Sequence, residues 1–137
     1  MRNKLLFVVP PCVAISELIP NEKKTFSSKI RKEIPLGVLS LATYTEYYAQ
    51  VDVTILDLNL KFYELVNENK INKINTPEKY IEDFVRQLQD QDYDFCGISA
   101  IFSPTFSYIR IISQIVKEVF SKAVVVTGGG VPSNLMQ

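Results

Sequence analysis

Histidine is absent from this chain of 137 residues, and cysteine occurs only twice. Without histidine the chain lacks the usual general base, the commonest zinc ligand and the partner of an activated serine or cysteine nucleophile. Cys12 and Cys96 lie far apart and fit no metal-ligand spacing. These absences argue against a histidine-based hydrolase, a metal site made by the protein and a disulfide framework. A reducing, cytoplasmic location fits them.

The chain also lacks an excess of charge of one sign and a long hydrophobic run. Lys+Arg and Asp+Glu both number 15, so the formal net charge is zero and no basic footprint points to nucleic acid. No run approaches the roughly 18 apolar residues that span a bilayer. The start, MRNKLLFVVPPCVAI, is similar to a short signal peptide, but Pro10 and Pro11 interrupt it and no small-x-small cleavage site follows. We therefore expect no nucleic-acid partner and no membrane.

Four short apolar runs predict the strands of a single domain, residues 1–137. They cover residues 4–10, 52–58, 95–100 and 123–128. The first, third and fourth runs are continuously apolar, which is typical of parallel strands covered on both faces. The second run alternates between apolar and polar residues, which favours a position nearer an edge of the sheet.

Helical patterns separate these runs. The first helix is predicted in residues 35–49, with Val38, Leu41, Ala42 and Tyr48 on one stripe. The second follows a Thr76-Pro77 start and the third a Ser103-Pro104 start. The alternation predicts an α/β fold with a mainly parallel four-stranded sheet in order 2-1-3-4 and helices on both faces.

Three parts of the sequence do not complete this scheme. Residues 16–33 are polar and basic, and we interpret them as a lid or a poorly ordered loop. Residues 61–75, rich in Asn and Lys, are interpreted as a surface excursion before the second helix. The fourth strand would be an apolar edge, which is a liability. We therefore expect the front piece of a longer protein, truncated before a fifth strand; a gene fragment, a deliberately shortened chain and a homodimer through that edge all fit.

Ligands of open parallel sheets bind beyond the carboxyl ends of the strands. The residues delivered there are Pro10 to Cys12, Asp57 to Asn59, Ser99 to Thr105 and Thr127 to Pro132. Gly128, Gly129 and Gly130 would let a ligand approach the backbone, whereas a tight strand-to-helix turn would need only one of them.

Other crevice chemistries fit these residues less well. Gly128, Gly130 and Ser133 match a dinucleotide fingerprint loosely, but after the fourth strand instead of the first. The acidic cluster of a receiver domain, a flavin phosphate loop and a P-loop lysine are all missing after the first strand. The edge is neutral, hydroxyl-bearing and apolar, which favours a large uncharged ligand over a phosphate.

Several short motifs follow one another in a specific order. Pro35-Leu36-Gly37 opens the first helix, Asp57-Leu58 ends the second strand, Gly97-Ile98-Ser99 lies in the third, and the glycine run follows the fourth. In this order the chain resembles the N-terminal cobalamin-binding domain of cobalamin-dependent radical S-adenosylmethionine enzymes. The resemblance covers residues 4–133, apart from residues 16–33 and 61–75.

The resemblance implies a flavodoxin-like (Rossmann-like) three-layer sandwich with the corrin ring on the carboxyl edge of the sheet. The hydroxyl-bearing loop after the third strand would face the cofactor. The glycines would let the nucleotide tail of the cofactor lie close to the backbone, and an apolar rim would lie at the first strand. The cofactor-binding residues that it implies are Pro10, Pro11, Leu36, Gly37, Ser99, Ser103, Thr105, Gly128, Gly129, Gly130, Val131 and Pro132.

The departures from related families are also informative. A chain without histidine cannot carry the D-x-H-x-x-G motif, so base-off cobalamin without a histidine ligand is expected. The C-x3-C-x2-C motif is absent, so an iron–sulfur cluster and S-adenosylmethionine would belong to a C-terminal radical domain of the parent. We expect no catalytic residue here.

The leading hypothesis is a cobalamin-binding module of a methyltransferase-like or cyclase-like enzyme. The alternatives are a non-catalytic α/β interaction domain and a nucleotide- or S-adenosylmethionine-binding domain.

Overall fold

The computed structural model describes residues 1–18, 30–68, 70–71, 75–101 and 105–130. Strands and helices alternate along the chain, with two helices between the second and third strands. In chain order the elements are β1 Lys4–Val9, a 3-10 helix Ile15–Glu17, α1 Leu36–Ala49, β2 Asp52–Asp57, α2 Leu58–Asn67, α3 Pro77–Arg86, β3 Phe95–Ser99, α4 Phe106–Val119 and β4 Val124–Gly128.

The four strands form one sheet in the order β2-β1-β3-β4, and every neighbouring pair is parallel. This confirms the predicted order and places β2 and β4 at the edges. The register brings the strand ends level, since Val9 pairs with Asp57 and Ser99 pairs with Gly128. All the loops after the strands therefore leave from one edge of the sheet.

The sheet has a different layer on each face. Alternate residues of β1, Leu6 and Val8, are fully buried in a core that includes side chains of α2, α3 and α4. Phe7 points the other way, against Gly97, and lines a cavity together with Val38 of α1. The protein is thus a three-layer, flavodoxin-like α/β sandwich.

The interpretation of residues 61–75 as a surface excursion is wrong for their first part. Asp57 caps α2, because its Oδ1 accepts a hydrogen bond of 3.0 Å from the amide of Leu60. Phe62 is buried and packs edge-on against Tyr80 and Phe84. The buried residues of α2, Leu58, Asn59 and Phe62, form only a short stripe, and the surrounding sequence is rich in Asn and Lys, which concealed the helix.

The stripe predicted for α1 is only half correct. Val38 and Ala42 are buried, but Leu41 is 51% exposed and Tyr48 is 67% exposed. The prediction that β4 is covered on both faces is also wrong, because Val124 and Val126 are 54% and 57% exposed. The cause is geometric: α1 contacts β1 and β2, whereas β4 is packed against α4 on its other face.

The predicted start of the last helix, Ser103-Pro104, lies outside the described residues, and α4 begins at Phe106 with Thr105 before it. Most of residues 16–33 also lies outside them, although Leu18 and Ile30, which flank the gap, are both buried in the core. In the described part of the chain, no helix is long and apolar enough to cross a membrane.

Candidate functional site

A crevice opens at the carboxyl edge of the sheet, where the chain order reverses between β1 and β3. It contains a cavity of about 220 Å³ between the ends of three strands and the start of α1. The lining residues are Val9, Pro10, Cys12, Glu33, Ile34, Pro35, Leu36, Gly37, Val38, Asp57, Asn59, Ser99, Ile101 and Thr105.

A second cavity, of about 270 Å³, lies over β3 and β4. Phe7, Leu41 and Val126 make its lining mostly apolar. The two cavities share Gly37, Val38, Ser99 and Ile101, so they adjoin along the edge of the sheet. Together they form an elongated apolar surface with few polar groups, which is the usual character of a site for a sizeable organic ligand.

The three consecutive glycines have different surroundings. Gly129 has a φ of 111°, and a Cβ there would lie 2.6 Å from the carbonyl oxygen of Ala100. The chain itself therefore requires a glycine at this position. A Cβ at Gly128 would meet nothing within 4 Å, and one at Gly130 would have only the oxygen of Ile101 at 3.7 Å. The turn accounts for Gly129 but not for its two neighbours.

Gly37, in the first turn of α1, lines the second cavity as well. A Cβ at Gly37 would also meet nothing within 4 Å. No side chain caps this helix at Pro35. Within the described residues, the amides of Gly37 and Val38 make no hydrogen bond, as expected for the first turn of a helix. The start of α1 therefore offers backbone N–H donors to a ligand in the crevice.

Few polar side chains reach the crevice. Ser99 is half-buried at the end of β3, while Thr105 is buried. The pKa of Asp57 is raised by burial, and the amides of Leu60 and Asn59 that donate to its carboxylate oppose the rise. The charged residues among the lining residues are Asp57 and Glu33, both acidic. An acidic lining without Lys or Arg disfavours a phosphate group.

Some of the predicted site residues line a cavity, some lie elsewhere in the described part of the chain, and some lie outside it. Pro10, Leu36, Gly37, Ser99 and Thr105 line the first cavity, and Gly128 and Gly129 join Gly37 and Ser99 in the second. Pro11 is fully buried and lines neither cavity. Gly130 lies beyond the second cavity, next to Ile101. Ser103, Val131 and Pro132 lie outside the described residues.

Asn59 was placed at the ligand edge by the sequence but was not among the predicted cofactor-binding residues, although it lines the first cavity. Its side chain is buried, with 4% of the residue exposed. Its Oδ1 accepts a hydrogen bond of 2.9 Å from the amide of Cys12, and its Nδ2 donates one of 2.9 Å to the carbonyl of Arg31. The signal available in the sequence was an amide residue directly after the end of a strand.

The described residues contain no group of three or more His, Cys, Asp or Glu side chains that could hold a metal ion. Cys12 and Cys96 are both free thiols. Burial raises the pKa of Cys96 to about 12, so this thiol belongs to the core. Cys12 lines the crevice and is the sulfur ligand available to a bound group there.

The fold and the crevice define an α/β cofactor-binding domain whose ligand lies at the carboxyl edge of a parallel sheet. The family model of the B12 binding domain matches residues 31–137. The chain belongs to the B12-binding domain family, and cobalamin is the ligand that this membership supports. No curated protein and no solved structure matches the chain.

Proposed function

We propose that this chain binds cobalamin across both cavities, as the cofactor-binding module of a radical S-adenosylmethionine enzyme of the methyltransferase-like or cyclase-like type. The observation that carries the proposal is the pair of glycines, Gly37 and Gly128. Both line the second cavity, Gly37 from α1 and Gly128 from the end of β4, and each has open space where a side chain would otherwise lie. Membership of the B12-binding domain family supports the same ligand.

The chemistry of the lining fits this ligand. A corrin ring is broad and flat, and it carries neutral amide arms that need hydrogen-bond partners. The apolar residues Leu36, Val38 and Ile101 can contact the ring, while the amides at the start of α1 can donate to the arms. Among the described residues, the acidic lining of the first cavity, without Lys or Arg, suits the uncharged ring and amide arms, whereas the phosphodiester of the nucleotide tail would lie away from it, on the side of the second cavity, whose lining carries no charge.

The role of this chain is to bind and orient the cofactor. Cobalamin supplies cobalt-centred group transfer when it is bound, and the chain has no histidine to ligate the metal. We propose a base-off cofactor without a histidine ligand. The iron–sulfur cluster and S-adenosylmethionine would lie in a C-terminal radical domain of a longer parent chain, which would also supply the catalytic residues.

The exposed edge strand β4 indicates that the chain has a further protein partner. β4 is an edge strand, and Val124 and Val126 expose apolar side chains on it. Such an edge tends to pair with other chains unless it is covered. We propose that the rest of the parent protein covers it, and that the chain by itself forms a homodimer through it.

A titration tests the function. Hydroxocobalamin added to the chain should give a saturable change in its visible spectrum, and isothermal calorimetry should give the same affinity. Gly37→Val, which fills the open space at the start of α1, should weaken binding about tenfold or more, or about 1.4 kcal/mol. Ser40→Val is the matched control, because it adds a branched side chain to the exposed side of the same helix.

The alternatives make different predictions in the same titration. Asp57 ends β2 and lines the first cavity, which is where a dinucleotide-binding sheet places the acid that binds a ribose. If S-adenosylmethionine or NAD binds and cobalamin does not, the crevice is a nucleotide site. If none of the three binds, the chain is a non-catalytic interaction domain.

A further inference from the structure

Asn59 connects two segments that have no regular structure of their own. One is the loop after β1, which contains Cys12, and the other leads from Ile30 into α1. The hydrogen bonds from Asn59 reach residues 47 and 28 positions away in the sequence. The buried hydroxyl of Tyr108 bonds to the first segment, at the carbonyl of Val13, whereas Asn59 bonds to both.

The two hydrogen bonds need a side chain that carries both an acceptor and a donor. The amide of Cys12 needs an acceptor, and the carbonyl of Arg31 needs a donor, so the carboxamide of Asn59 satisfies one with Oδ1 and the other with Nδ2. An aspartate would keep the acceptor but lose the donor, and an alanine would lose both. Since Asn59 is buried, water cannot replace either bond without opening the site.

The position of Asn59 itself is fixed locally. It lies in the first turn of α2, next to Leu58, which is fully buried. Asp57 accepts hydrogen bonds from the amides of Leu60 and Asn59, which holds this turn at the end of β2. A strand end of the sheet thus carries the carboxamide at a defined place.

The two segments that Asn59 joins are two walls of the crevice. Pro10 and Cys12 line the first cavity from the side of β1, while Ile34 and Leu36 line it from the side of α1. We propose that Asn59 is a positioning residue for the cobalamin site: it sets the separation of these walls through Cys12 and Arg31. The inference rests on the proposed function, and it adds a residue that acts on the ligand through its neighbours.

The test compares Asn59→Ala and Asn59→Asp with Val85→Ala. Val85 is fully buried in α3 and lines neither cavity, so its truncation lowers stability without touching the walls. The measurements are the melting temperature, the affinity for hydroxocobalamin and the hydrogen exchange of backbone amides without ligand. Asn59→Asp is nearly isosteric and guards against a variant that does not fold, which far-UV circular dichroism would show.

Asn59→Ala should lose about tenfold or more in affinity, while Val85→Ala with an equal or lower melting temperature should stay within about twofold of the parent chain. Exchange at the amides of Cys12 and Leu39 should accelerate in Asn59→Ala only, because these amides donate to Asn59 and to the carbonyl of Pro35 at the start of α1. Asn59→Asp should protect Cys12 but not Leu39, with intermediate affinity.

One set of results would contradict the inference, and another would contradict the function on which it rests. If Asn59→Ala and Val85→Ala lose the same affinity, or if exchange at Leu39 is unchanged in Asn59→Ala, Asn59 only stabilises the fold and the inference is wrong. If the unmodified chain does not bind cobalamin, the proposed function fails, and the exchange at Leu39 still decides whether Asn59 positions the start of α1.

Discussion

Gly129 and Ala100 approach each other so closely that no side chain fits between them: a Cβ on Gly129 would lie 2.6 Å from the carbonyl oxygen of Ala100. The amide of Ala100 also donates to the carbonyl of Gly128 at 2.8 Å, which continues the β3–β4 pairing past the end of β3. This contact separates two reasons for glycine within one run. Gly129 is required by its close approach to the backbone of Ala100, whereas Gly128 leaves open space at the second cavity.

Valine should therefore have opposite effects at these two neighbouring positions. Gly129→Val should destabilise the fold by at least about 2 kcal/mol, because it adds both an unfavourable φ and a steric clash. Gly128→Val should melt near the parent temperature and lose about tenfold in cobalamin affinity. Thermal denaturation and spectral titration measure the two effects. If Gly128→Val binds normally, the open space at Gly128 is not part of the cofactor site.

The pKa of Asp57 predicts a pH dependence. Burial raises this pKa above its ordinary value of 3.8, so the folded chain holds the proton more tightly than the unfolded chain does. Stability should consequently fall as pH rises from about 3.8 to the raised pKa, and should be constant above it.

Asp57→Asn removes this titration and keeps a good capping residue for α2. The difference in unfolding free energy between Asp57→Asn and the parent chain should therefore grow in favour of the variant across the same pH window. Urea denaturation at several pH values measures it. Asp57→Ala is the control for the cap, and it should cost about 1 kcal/mol. A difference that does not change with pH would contradict the raised pKa.

The two cysteines should differ in reactivity. Cys96 is fully buried and its pKa is raised to about 12, whereas Cys12 is half-buried in the crevice. Because the thiolate is the reactive form, a thiol reagent should label Cys12 in the folded chain and reach Cys96 only after denaturation. Bound cobalamin should slow the labelling of Cys12. Cys12→Ser should abolish native labelling, and rapid native labelling of that variant would contradict the assignment.

The sequence predicted the order of the strands because local patterns determine it: apolar runs, helical spacing and right-handed crossovers leave few alternatives. α2 was missed because its buried stripe, with Leu58 and Phe62, is short and lies among Asn and Lys. Asn59 could not be assigned, because its partners Cys12 and Arg31 are distant in the sequence and become neighbours only in the fold. The different roles of Gly128 and Gly129 depend on the position of Ala100, which no local pattern contains.

The edge strand β4 predicts self-association. Val126→Lys places a charge on this exposed strand and should lower the fraction of dimer measured by light scattering after gel filtration. Thr43→Lys adds the same charge to an exposed position of α1 and should leave the dimer unchanged. A chain extended by about one strand and one helix, on the order of 30 residues, should be monomeric and melt at a higher temperature. Equal dimer fractions in both lysine variants would exclude β4 as the interface.

The absence of histidine predicts the state of the cobalt. With no imidazole in the chain, a lower ligand from the protein could come in the crevice only from a weak donor such as Cys12, whose thiolate would have to displace water. The open glycines Gly37 and Gly128 leave room for the nucleotide tail to lie away from the ring. The electron paramagnetic resonance spectrum of the bound cobalt(II) form should therefore lack the nitrogen splitting of a coordinated base. Free cob(II)alamin at neutral pH, which keeps its own base coordinated, is the control that shows the splitting. Nitrogen splitting in the bound form would refute the base-off state while leaving cobalamin binding intact, and a change of the spectrum in Cys12→Ser would identify sulfur as the lower ligand.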